Sequence, residues 1–291
     1  MKLFLDERCN PRFYLDNTLN AWLWPKLLPN LFDQDESMLF VGSGTRLNSS
    51  LPALTQSAKR LIIFSTGAGY GRPLQSIPAS WQIACVRGPM TAAVLAQPAA
   101  AAITDGSILV SRCFQPSGRR TVKYSFMPDA ERAAQAQPVW QKICQQLDIG
   151  YIDPQLPVEQ RLSAISETHI LLTEALQGAM LADALRVPWI PLLAGSRVLQ
   201  FKWKDWCAAM ALPYRPIKLP SLPNYPRLPR LRLAHRWQRL HQTLSQTQEL
   251  RIATQLEQII QQAPTYLSQD VVFEQRLEQL DTALLRLLSQ I

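Results

Sequence analysis

The 291-residue chain predicts an α/β fold made of two halves, each built round a parallel sheet, with a helical extension at the C-terminus. Three observations carry this expectation. Short continuous apolar runs end repeatedly in glycine or other small residues, the pattern of strands buried on both faces. These runs alternate with helical stretches in βαβα order, which requires a parallel sheet with crossover helices. From Leu212 onward, prolines and then amphipathic helical spacing replace that alternation.

In the first half the apolar runs are Met38–Val41, Leu61–Phe64, Ile83–Val86 and Ile108–Val110, the first three followed by GSGT, STGAGYGRP and RGPMT. All four read as strands. Thr18–Leu28 and Pro89–Ala96 read as helices, the latter with proline at a first-turn position where its missing N–H is harmless. The second half begins near Arg119. It reads as strand Val122–Phe126, helix Ala130–Leu147, strand Gly150–Ile152, helix Val158–Glu167, strand Ile170–Leu172, helix Glu174–Leu185 and strand Trp189–Leu193. Two such Rossmann-like halves, 1–118 and 119–211, with a cleft between them describe a GT-B-like arrangement. Pro213, Pro216, Pro220, Pro223, Pro226 and Pro229 then exclude helix and predict an extended linker over 212–230, outside the core. The last segment, 231–291, reads as a helical hairpin: Leu231–Gln262 and Ser268–Ile291, broken near Pro264. Its apolar stripe predicts docking on the α/β body or on another subunit, so the C-terminal helices are the candidate homo-oligomer contact.

Hydrophobic content of 47% suits a globular protein. No run approaches the ~20 apolar residues of a membrane span. Asp6, Glu7 and Arg8 interrupt the N-terminal segment where a signal peptide needs an apolar core, which predicts a cytoplasmic protein. The five cysteines are scattered without a C-x-x-C pair, which predicts reduced thiols. The three histidines, His169, His235 and His241, lack zinc spacing, so no metal is expected. The net charge of +8 is concentrated. Between Asp205 and Glu249 no acidic residue occurs, while Arg215, Lys218, Arg227, Arg230, Arg232, Arg236 and Arg239 all do. The stripe Arg227–Arg239 predicts attraction to an anionic membrane surface or an anionic substrate, a solvated basic helix without a partner is the alternative reading, and nucleic acid is not expected.

Candidate site residues follow from position. Gly42, Ser43, Gly67 and Gly69 lie just after strands, where backbone N–H groups approach an anion closely; a tight connection is the alternative reading of such glycines. GAGYG lacks the G-x-G-x-x-G spacing and a ribose-binding acid, which disfavours NAD. Arg87 ends a strand, where its guanidinium grips either a carboxylate or phosphate ligand or a structural partner. Asp105, in ITDG, suits a turn or a site carboxylate. At the strand-to-helix junction Thr173–Gly178, where open α/β sheets place ligands, Thr173 reads as a helix N-cap. Glu174 and Gln177 there face one cleft, Glu174 as acid/base and Gln177 as a neutral hydrogen-bonding group.

Ordered segments resemble the polysaccharide pyruvyl transferase family, its succinoglycan-type ketal pyruvyl transferase branch in particular. They are LNAWLWPKLLP (Leu19–Pro29), FVGSGT (Phe40–Thr45), FSTGAGYG (Phe64–Gly71), VRGPMTA (Val86–Ala92), ITDGSILV (Ile103–Val110), FMPD (Phe126–Asp129), LLTEALQGAMLADALRVPWIP (Leu171–Pro191) and FKWKDWC (Phe201–Cys207). The resemblance implies a GT-B-like fold and pyruvate transfer from phosphoenolpyruvate to a sugar of a lipid-linked oligosaccharide or polysaccharide, as a cyclic ketal. No other cofactor is implied. The site is then peripheral to the inner face of the plasma membrane. Arg87, Arg197 and Lys202 would hold the donor, Glu174 would serve as acid/base and Asp105 would lie near the acceptor. The chain departs from the family pattern three times. N-F-G-D-x-L-N reads YLDNTLN, with Asn17 at the aspartate position. M-P-H reads MPD at Asp129. E-A-M-H-G reads EALQG at Gln177, and a carboxamide neither shuttles protons nor carries charge. Two further readings follow from those departures: a non-catalytic member that binds a glycan or a partner, and a GT-B-type glycosyltransferase using a nucleotide-sugar.

Overall fold

A computed structural model describes residues 1–6, 15–194, 199–220 and 234–291, the side chains of 194 and 234–245 excepted. In chain order the elements are β1 (Lys2–Leu3), α1 (Leu15–Leu27), β2 (Met38–Val41), β3 (Thr45–Leu47), α2 (Leu51–Leu54), β4 (Arg60–Phe64), β5 (Gly67–Ala68), β6 (Trp81–Cys85), α3 (Pro89–Val94), α4 (Val110–Cys113) and β7 (Val122–Met127). There follow α5 (Ala130–Gln146), β8 (Gly150–Tyr151), α6 (Val158–Ser166), β9 (Thr168–Thr173), α7 (Leu176–Ala184), β10 (Trp189–Ala194), α8 (Gln200–Ala209), β11 (Ile217–Leu219), α9 (Ala234–Gln262) and α10 (Asp270–Leu288).

Two parallel sheets carry the fold, as their buried apolar runs predict. The first has the order β1-β2-β4-β6 and the second β11-β10-β9-β7-β8, while β3 and β5 form a small pair of their own. In the first sheet, alternate residues face opposite layers, the two-residue period of a strand. Phe40, Ile62 and Phe64 enter the largest buried cluster, and Leu39, Val41, Leu61 and Ile63 enter another with Leu51 and Ala92. The largest cluster also takes Leu171 of the second sheet, α1 through Leu19, Leu23 and Trp24, and α7 through Leu176 and Ala179. Packing is therefore continuous between the halves.

Three expectations are corrected. Ile108–Val110 is not a strand: Gly106–Leu109 forms a 3-10 turn that runs into α4. Asp105 caps that turn by accepting from Ser107 N at 3.0 Å, and a fully buried apolar run looks alike in either state. The proline-rich stretch is not all linker. Ile217–Leu219 is edge strand β11, paired with β10 and burying Leu219; Pro216 and Pro220 flank its three residues, as prolines at strand ends do. The C-terminal helices dock on the α/β body through separate clusters. Ile252, Leu256 and Ile259 of α9 pack with Phe126, Trp140 and Leu192 around the second sheet, whereas Phe273, Leu277, Leu280 and Leu284 of α10 enter the cluster shared with the first. Helix α7 begins at Leu176, not Glu174. Its N-cap position is Ala175, and Thr173 Oγ1 accepts from Ala175 N at 3.1 Å.

Cys85, Cys113, Cys144 and Cys207 are free thiols. Burial pushes those of Cys85, Cys144 and Cys207 up to about 12. Among the described residues no helix is long and apolar enough to cross a membrane.

Candidate functional site

Strand order locates the site. In the second sheet the chain steps from β7 outward to β8, then returns to the other side of β7 for β9. Such a reversal opens a crevice beyond the C-terminal ends of the two strands involved. Asp129 follows β7 there, and Glu174 follows β9. Glu174 Oε2 accepts from Asp129 N at 3.2 Å and pairs with Arg132 Nε at 3.2 Å. Its Oε1 is buried with no hydrogen-bond partner. Burial pushes the Glu174 carboxyl up to about 7, only partly opposed by Arg132. Asp129 caps α5 through Glu131 N at 3.0 Å. Arg132, in the first turn of that helix, lies over the Trp140 ring at 5.4 Å with its second terminal nitrogen unpartnered.

Gln177 stands in the first turn of α7, facing the first half of the chain. Its Nε2 donates to Asp16 Oδ1 of α1 at 3.2 Å, and its Oε1 has no partner. The Asp16 carboxylate abuts Gly44, where a Cβ would come within 2.6 Å of Asp16 Oδ2. Gly44 adopts φ +112°, a conformation that favours glycine, and its N–H donates to Asp105 Oδ2 at 3.1 Å. Asp105 is fully buried, and burial pushes its carboxyl up to about 6; Arg87 opposes that shift and Asp16 adds to it. The structure thus brings Gln177 and Asp105 to either side of Asp16 and Gly44.

The expected donor-binding residues are engaged by the protein itself. Arg87 is wholly buried. Its Nε donates to Asp205 Oδ2 at 3.0 Å, one terminal nitrogen to Thr45 Oγ1 at 2.7 Å and Gly44 O at 3.3 Å, and the other to Ala68 O at 2.9 Å. Asp205 also accepts from Thr91 N and Thr91 Oγ1, at 2.9 and 2.6 Å, so the ion pair ties α8 to α3. Gly67 makes room for that guanidinium: a Cβ would stand 2.1 Å from Arg87 Cζ. Gly42 accommodates Trp24, and Gly69 accommodates Leu199 and Thr45. Ser43 Oγ donates to Asn20 Oδ1 at 3.1 Å. The three glycines thus admit close side-chain approach, and Arg87 lies in a buried ion pair. Lys202 is apart from this cluster and donates to Tyr70 OH at 2.6 Å. Arg197 lies outside the described residues, as do Arg227, Arg230 and Arg232; the side chains of Arg236 and Arg239 are likewise not described. No group of His, Cys, Asp and Glu that could hold a metal occurs among the described residues, and His169 is exposed.

The chain is 36% identical to the succinoglycan biosynthesis protein ExoV of Rhizobium meliloti (strain 1021) over 204 residues, which are 69% of this chain and 63% of that protein. This similarity supports the succinoglycan-type family that its motifs resemble. The chain spans less than two thirds of that relative's length. No family model and no solved structure matches it.

Against the family pattern, three site groups were missed by sequence reasoning. Asn17, at the family's aspartate position, faces away from Gln177: its Oδ1 accepts from Arg46 at 2.7 Å and its Nδ2 donates to Asp6 O at 3.0 Å. The carboxylate that meets Gln177 belongs to Asp16, where the family has glycine. The letters YLDNTLN held it one position early. Arg132 follows Asp129 by one helical turn, a spacing that could have flagged it. Arg161, in α6, is wholly buried and donates to Pro154 O at 2.5 Å, while its Nε and other terminal nitrogen have no partner. Burial lowers it to about 10, and Asp16 opposes the shift. Nothing in its local sequence signals this.

Proposed function

We propose that the chain is a transferase of bacterial surface-polysaccharide biosynthesis that moves pyruvate from phosphoenolpyruvate to a sugar as a ketal, its two halves working as a GT-B-like pair. Its relation to a succinoglycan biosynthesis protein supports the pathway class. The observation that carries the chemistry is Glu174: a buried carboxyl at the switch point, held near neutrality with one oxygen unpartnered.

Ketal formation needs a proton delivered to the methylene carbon of the donor, after which the central carbon accepts one sugar hydroxyl. Phosphate then leaves, and a second hydroxyl closes the ring. Glu174 in its neutral form supplies the proton, as a general acid with a pKa near working pH does best. The two hydroxyl protons leave through the acidic groups around Gln177, with Asp16 the more exposed of these and Asp105 behind it. Gln177 contributes hydrogen bonds where the family uses a histidine. The stripe Arg227–Arg239 would draw the protein to the anionic membrane that carries a lipid-linked acceptor.

The test is incubation with phosphoenolpyruvate and sugar-lipid or oligosaccharide acceptors, following phosphate release and the acceptor's mass. The expected product gains pyruvate less one water. The absence of both phosphate release and donor binding at millimolar concentration would sink the proposal. Gln177 and Asp129 in place of histidines favour a second reading, a family member that binds glycan without turnover. Donor binding without transfer, with transfer gained on Q177H, would decide for it.

A further inference from the structure

Two unpartnered groups adjoin at the switch point. Arg132 pairs with Glu174 through Nε at 3.2 Å, yet its second terminal nitrogen has no hydrogen-bond partner, and neither does Glu174 Oε1. Both atoms are buried. The Glu174 side chain is 1% exposed and that of Arg132 19% exposed, so the arginine is the more open member of the pair. Buried polar atoms left unpaired are costly, and in native proteins they mark an occupant or a mechanistic role. Arg132 also lies over Trp140, and a guanidinium so stacked presents donors suited to a carboxylate or phosphoryl group.

We propose that Arg132 and Glu174 form an acid armed by the donor: an oxyanion takes the Arg132 guanidinium, and Glu174, deprived of its cation, takes up one proton from solvent. The inference rests on the reading above for the identity of its ligand, and on geometry for the coupling. An opposite charge nearby is what favours an ionised carboxylate, so its diversion to a ligand favours the protonated form. The Asp129 N–H would remain on Oε2 and Asp129 itself would still disfavour the charge. On the other packed elements, Asp16 of α1 contacts Gln177, and Arg161 of α6 senses Asp16; Glu131 is exposed. Donor binding would thus load the proton that ketal formation uses.

The test is calorimetric titration of the full chain with sulfate, standing for the phosphoryl end and not titrating near neutrality, and with pyruvate, standing for the carboxylate end. Each is run in buffers of different ionisation enthalpy. Uptake of roughly half a proton at about pH 7.5 is expected with at least one of them. R132Q should weaken that binding about tenfold or more, while E174Q should bind somewhat more tightly than the parent at that pH, with no uptake. Where R132Q does not fold, R132K carries the test, with a several-fold loss expected. Absence of binding, binding without linked uptake, or affinity unchanged in these Arg132 variants would overturn the proposal. Linked uptake without any ketal product would overturn only the transfer reading.

Discussion

Glu174 and Asp105 are carboxyls that the fold holds partly neutral, because burial disfavours their charge more than Arg132 and Arg87 restore it. The consequence for stability has a definite sign. Below the ordinary value of 4.5, Glu174 is neutral in both states; as pH rises toward about 7 the unfolded chain loses the proton first, so folded stability falls across that window. The fall is at most about 3 kcal/mol. E174Q should flatten it, measured as the difference in urea midpoint between about pH 5 and about pH 8. The same protonation governs chemistry: kcat/KM should decline as pH rises through about 7, where the unliganded Glu174 loses its proton, and E174Q should lose turnover at every pH. Arg87 belongs to a different class of residue. R87M leaves Asp205 buried without its cation and should cost about 3–5 kcal/mol in denaturant unfolding. A variant that keeps its stability would refute the structural role assigned to Arg87.

At the scale of elements, the strand–helix junction depends on one close approach. Gly178 lets α7 seat on β9, since a Cβ there would stand 2.5 Å from Thr173 Oγ1 and 3.1 Å from Met127 Sδ. G178A should therefore displace the first turn of α7, with Gln177 on it. A stability loss of about 1–3 kcal/mol is expected, together with weakened donor binding in titration. Thr173 takes part without capping the helix directly, by folding its hydroxyl onto Ala175 N. Helix α8 shows the reach of a single carboxylate. Asp205 joins it to Arg87 and Thr91 of the first half, although sequence order places the helix with the second.

Over the whole molecule, the strands change sheet once, and helices α8 and α10 then return to pack on the first half. The C-terminal segment crosses at Asp183, which accepts from Ser268 N at 2.8 Å and Ser268 Oγ at 2.5 Å. Tyr266 pairs with Trp189 across an antiparallel bridge, and Arg186 reaches Asp270 at 2.7 Å. Helix α10 then buries Phe273, Leu277 and Leu280 in the largest cluster. F273A should cost about 3–5 kcal/mol in thermal or urea unfolding, and truncation after Gln262 should yield an insoluble chain; a soluble, folded truncation would show that α10 is dispensable. The basic stripe predicts a separate behaviour. Vesicles of anionic lipid should sediment the protein in a salt-sensitive manner, and indifference to lipid charge would refute that attraction.

Local pattern was enough for the α/β class, for strands such as Met38–Val41 and Val122–Phe126, and for the junction at Thr173–Gly178. Apolar runs, glycines and prolines act within a few residues of themselves, so sequence order carries them. The ordered motifs were legible for the same reason, and with them the family. Tertiary structure alone decided which charges remain for a ligand. Arg87 and Arg132 are both arginines next to a strand end or helix start, yet one is enclosed by Asp205, Thr45, Gly44 and Ala68 while the other keeps a nitrogen unpaired. It also decided that Asp16, not its neighbour Asn17, faces Gln177, because adjacent residues of a helix point about 100° apart. Pairing, burial and direction depend on partners distant in the chain, such as Asp205 for Arg87 and Gln177 for Asp16, and no local spacing encodes those partners.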